Sequence, residues 1–100
     1  MAFDKLADLS DLSCGQLYVV YLAIARSDHH WRLRARYGQA TPPSGHAEFR
    51  PLAEAQFVDR LQKAQTIAGG EAILRGRLAR QAAAYQVDVA AELAQLQRAA

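Results

Sequence analysis

The chain holds one cysteine in 100 residues, so no internal disulfide can form and no cysteine pair starts a zinc site. A reducing, cytoplasmic setting is the expectation. Long apolar runs are missing too. The longest, Leu17 to Ala25, is nine residues, against about 20 for a membrane-spanning helix, so no membrane partner is expected. Asp4, Asp8 and Asp11 interrupt the place where a secretory leader would carry its apolar stretch, and no such leader is expected. Charge of one sign is scarce: 12 Lys and Arg against 10 Asp and Glu leave +2, which is no polybasic tail. Enzyme motifs are absent as well. No serine sits in a G-x-S-x-G turn, no glycines have phosphate-loop spacing, and Gly69-Gly70 lacks the preceding strand such a loop requires.

What is present is the composition of a folding chain, 51% hydrophobic and 22% charged, far from the signature of disorder. One hundred residues make one domain, 1–100, too small for a large enclosed active site. No internal repeat or low-complexity linker divides it.

Phe3, Leu6, Leu9 and Leu12 recur at helical spacing and predict a short first helix. Ser13 followed by Gln16 is a capping box, with Leu12 and Leu17 placed as a hydrophobic staple, so a helix begins there. Leu17, Val20, Tyr21 and Ile24 give it a buried face. Beyond it two readings stand side by side. In one, Trp31, Leu33, Ala35 and Tyr37 alternate with Arg32, Arg34 and Arg36 as a half-buried strand. That strand pairs across a Gly38–Gly45 loop with His46 to Arg50 and places Glu48 opposite the arginines. In the other, the Ser13 helix runs on to Tyr37 and stops at Gly38. The fold class is therefore mainly α, with three to four helices and a β-hairpin at about 30–50 as the α+β alternative.

Pro51 suits the first turn of a next helix carrying Phe57, Leu61, Ala64 and Ala68, ended by Gly69 and Gly70. From Glu71 the stripe Leu74, Leu78, Ala82, Tyr85, Val89, Leu93 and Leu96 keeps an eleven-residue period. One helix over 71–98 would be about 42 Å long, more than a domain of this size covers. Either it bends near Ala84 to Val87 or its projecting end meets another chain.

The seam predicts a protein-binding site at Tyr85, Val89, Leu93 and Leu96. Ten of the twelve cations are arginine, and Arg32, Arg34 and Arg36 with Trp31, and Arg75, Arg77 and Arg80, form two clusters suited to acidic protein or phosphate. Asp28, His29, His30 and His46 invite a metal reading, but adjacent histidines diverge on either a helix or a strand, and no metal site is expected. Cys14, in the first turn of the capped helix, would need His29 or His30 beside it to act as a nucleophile. A lone cysteine is more often a small buried hydrophobe. The expectation is a non-enzymatic protein-binding module without cofactor, such as a small regulator, inhibitor or accessory subunit, joined to another protein or to its own copy as a homo-oligomer. The alternative is a small protein contacting nucleic-acid phosphates through both arginine clusters.

Overall fold

Two side chains at the start of the longest helix satisfy each other's main chain. The Gln16 N–H donates to Ser13 Oγ at 3.2 Å while the Ser13 N–H donates to Gln16 Oε1 at 2.8 Å, closing the capping box. The computed structural model describes residues 9–39, 41 and 46–99; of the short helix expected from Phe3, Leu6, Leu9 and Leu12, the first two residues lie outside these, and Leu9 to Leu12 form a turn in which the Leu12 N–H donates to the Leu9 carbonyl at 3.3 Å. Among the described residues are four helices, α1 (Cys14–Arg36), α2 (Glu54–Ala64), α3 (Gly70–Ala84) and α4 (Val89–Ala99), and no strand. None of them is long and apolar enough to cross a membrane.

The hairpin at 30–50 does not form. α1 runs through Trp31 to Arg36 and ends on Gly38, whose φ of 69° lets it occupy the left-handed region that glycine enters without cost. Gly38 N–H then donates to the Ala35 carbonyl and Gln39 N–H to the Arg34 carbonyl at 3.1 and 2.9 Å. That pair of bonds is a Schellman cap. The apparent alternation has a simple origin: Leu33, Ala35 and Tyr37 are exposed, so they form no buried face.

α2 begins later than Pro51 implied. Pro51 to Ala53 form an extended lead-in, held by Tyr21, whose hydroxyl donates to the Leu52 carbonyl, and by Tyr18, whose hydroxyl donates to Glu54 Oε1 at 2.6 Å. α2 ends at Ala64, ahead of the glycines. Gly69, with φ of 76°, turns the chain, and Gly70 brings the start of α3 against the end of α2. A Cβ there would lie 2.9 Å from the Ala64 carbonyl oxygen.

The stretch over 71–98 is not one helix but bends where its length required, between Ala84 and Val89. Tyr85 closes α3, and Gln86 takes the left-handed position with φ of 57°. Val87 N–H donates to the Ala82 carbonyl at 2.9 Å and Gln86 N–H to the Ala83 carbonyl at 3.2 Å. Asp88 then caps α4, its Oδ1 accepting from Ala91 N–H at 3.0 Å. This corner folds α4 back onto α1, where Arg26 pairs with Glu92 at 2.5 Å. The chain covers its own stripe as far as Val89, and Leu74, Leu78, Ala82, Tyr85 and Val89 all lie in one core with Leu17, Val20, Tyr21, Ile24 and Phe57. Tyr21 stacks on Phe57 with centroids 4.2 Å apart, joining α1 to α2. Each fully buried side chain of this kind contributes about 1.5–3 kcal/mol before ordering costs.

Candidate functional site

Irregular segments are fastened to the helices by polar side chains reaching main-chain carbonyls. Arg75 Nη1 donates to the Leu9 and Leu12 carbonyls at 2.7 and 2.5 Å. Gln81, buried, donates to the carbonyls of Phe49 and Arg50 at 3.1 and 3.3 Å. At the end of α3, Tyr85 is 2% exposed and His46 7% exposed. Their rings stack at 3.9 Å, and His46 Nε2 sits 2.9 Å from the Ala84 carbonyl, a distance at which it donates. The Tyr85 hydroxyl lies 2.6 Å from Asp28 Oδ1 and 3.1 Å from the His46 carbonyl, so one proton is shared unequally and mainly with the carboxylate. Asp28 in turn holds Arg32 Nε at 2.9 Å. Burial first, then the hydrogen bond to Asp28, push the Tyr85 phenol far above its ordinary range. It is a fixed proton donor.

These contacts decide which of the singled-out side chains are already engaged within the chain. Arg75 is committed to the N-terminal turn. Since Arg75 meets Leu12 just before α1 and Tyr85 meets Asp28 far along it, α3 runs beside α1 in the same direction. Arg80 lies five residues before Tyr85 and Arg32 four beyond Asp28, so even the nearest members are about 14 Å apart along that direction. Separation by more than a Debye length, about 8–10 Å, makes the two arginine clusters separate features. Cys14, half-buried, is fifteen residues from His29 on one helix, about 22 Å away, so that pair does not meet. His29 and His30 are exposed and His46 is committed to Ala84. Among the described residues no three His, Cys, Asp or Glu side chains form a metal-binding group.

Of the seam, Tyr85 and Val89 are buried in the chain's own core, Leu93 is half-buried against it, and Leu96 is 43% exposed. Among the described residues, an open combination of aromatic, apolar and basic side chains lies elsewhere. The last turns of α1 extend about 12 Å past Asp28, beyond the end of α3. There Leu33 is 36% exposed, Tyr37 71% exposed, and Arg32 and Arg36 are exposed with them. Trp31 is half-buried, edge-on to His46 at 5.7 Å, with the Arg34 guanidinium 5.4 Å over its ring. Aromatic ring and guanidinium are therefore stacked on each other. Nothing in the sequence pattern announced the Tyr85–His46–Asp28 group, because its members are 57 and 39 residues apart.

A groove of about 370 Å³ runs between α1 and the α3–α4 corner, lined by Arg26, Ser27 and His30 on one side and by Gln86, Asp88 and Glu92 on the other. Comparison with known protein families, with curated proteins and with solved structures finds no match to this chain.

Proposed function

We propose that the chain is a non-enzymatic protein-binding module, a small regulator, inhibitor or accessory subunit, that takes an acidic partner on the outer end of α1. The single observation that carries this reading is the extension of α1 past its own core. It offers Leu33 and Tyr37 to solvent together with Arg36, while Arg32 beside them is exposed but paired with Asp28. Tyrosine and arginine are the side chains that most often dominate binding energy, and an apolar centre ringed by charge is the common anatomy of an interface. The mechanism is burial of Leu33 and Tyr37 against the partner with guanidiniums meeting its carboxylates at the rim. Ile67 and Ile73, also exposed, lack such an aromatic–arginine pairing. An extended phosphate track is less well supported, because the second arginine cluster is distant and Arg75 is occupied.

The test is affinity isolation from nuclease-treated host extract with the full chain and with a Leu33→Gln, Arg36→Gln variant. Retained partners are then titrated as purified proteins at several salt concentrations. A nuclease-resistant partner held by the parent, weakened by salt and lost by the variant is expected. Equal retention by both chains, or retention that disappears with nuclease, contradicts the proposal.

A further inference from the structure

The groove beside the α3–α4 corner has walls of opposite charge. Arg26 and His30 stand on the α1 side with Ser27 between them, Asp88 and Glu92 on the α4 side, and Ala23 and Val87 give the groove apolar surface. Its volume of about 370 Å³ is at the low end of small-molecule sites. The Arg26–Glu92 bridge at 2.5 Å joins the two walls, and Asp88 uses Oδ1 on Ala91, leaving its second oxygen and the His30 ring for a ligand. A lone anion would meet Asp88 and Glu92; a lone cation would meet Arg26. A molecule carrying both charges satisfies both walls at once. Gln86 lines the same groove in a left-handed conformation, which glycine would hold without strain. Its carboxamide brings a donor and an acceptor that glycine lacks, and strain of this kind concentrates at binding sites.

From this geometry we infer that the groove binds a small zwitterion, a free α-amino acid or a very short peptide. The ligand carboxylate meets Arg26 and His30, its ammonium group meets Asp88 and Glu92, and the Gln86 carboxamide lies alongside. Binding exchanges the Arg26–Glu92 bridge for two ion pairs to the ligand.

The experiment follows backbone amide shifts of Ser27, His30 and Asp88 in the full chain during separate titrations with glycine, glycylglycine, N-acetylglycine amide, acetate and methylamine. Saturable shifts at these positions with glycine or glycylglycine, and none with the capped or singly charged compounds, are expected; whichever of the first two saturates earlier distinguishes free amino acid from peptide. An Arg26→Gln, Glu92→Gln variant, in which amides of similar shape replace an exposed arginine and a half-buried glutamate, should keep its helical circular dichroism and lose the response. Gln86→Gly should keep the cap and bind about tenfold more weakly, the loss of one hydrogen bond. Absence of saturable shifts at millimolar zwitterion, an equal response to the capped compound, or an undiminished response in the double variant overturns the inference.

Discussion

The Tyr85 ring lies flat against the His46 imidazole, centroids 3.9 Å apart and planes 25° from parallel, and its hydroxyl reaches across to Asp28 of α1 at 2.6 Å. One side chain at the end of α3 thereby holds both the turn after residue 45 and the point at which α1 leaves the core. Tyr85→Phe keeps the stack and removes the hydrogen bond to a carboxylate, so it should cost about 1.5–3 kcal/mol. Tyr37→Phe, at the exposed end of α1, should cost almost nothing. Urea midpoints of the two variants against the parent check this; coincident midpoints for Tyr85→Phe would show that the bond is idle.

The same residue sets an alkaline limit. Burial and the Asp28 bond raise the Tyr85 phenol well above its ordinary value of 10.0, and burial raises Tyr21. Unfolded chains release these protons near that ordinary value while the fold keeps them. The contribution is therefore whole below pH 10 and is lost as pH climbs toward the folded values. Denaturation midpoints measured from about pH 8 to about pH 11 should fall at the alkaline end, and fall less steeply in Tyr85→Phe. A flat profile in the parent would contradict the burial of these phenols.

Gln86 closes α3 in a conformation that disfavours every residue with a Cβ except, mildly, Asn and Asp. Replacing it with glycine removes that strain and adds some unfolded-chain entropy, for a net gain of about 0.5–1 kcal/mol. A thermal melt of Gln86→Gly should rise. A fall would mean that the corner is not a left-handed cap.

Two glycines of α3 should respond in opposite directions to the same change. At Gly70 an added Cβ meets the Ala64 main chain at 2.9 Å, whereas at Gly76 it meets only the end of the Arg80 side chain at 3.5 Å. Gly70→Ala should destabilise by about 1–3 kcal/mol through forced separation of α2 and α3. Gly76→Ala should stabilise by up to about 1 kcal/mol through helix propensity. Equal effects in denaturant titrations would rule out the close approach at Gly70.

What could be read from the sequence was whatever has a local cause. Ser13 and Gln16 announce a helix start because capping needs only three residues' spacing, and Leu74 to Val89 announce a buried stripe because burial imposes the period. The place of the bend, near Ala84 to Val87, was legible from the length of the 71–98 stripe, but its form was not: a left-handed cap calls for glycine, and the chain has glutamine at 86. Trp31 to Tyr37 misled for another reason. That stretch lies mostly beyond the core, so its apolar residues follow no helical burial period and their alternation carries no structural meaning. Long-range polar fastenings such as Arg75 to Leu9 leave no local pattern at all.

The outer end of α1 as the partner-binding surface is tested most directly by amide hydrogen exchange of the full chain with and without its captured partner. Slowed exchange from Arg32 to Gln39, with the core of α3 unchanged, is the predicted result. Slowing confined to the turn at Ile67 and to Ile73, or no slowing at any described position of α1, would contradict it.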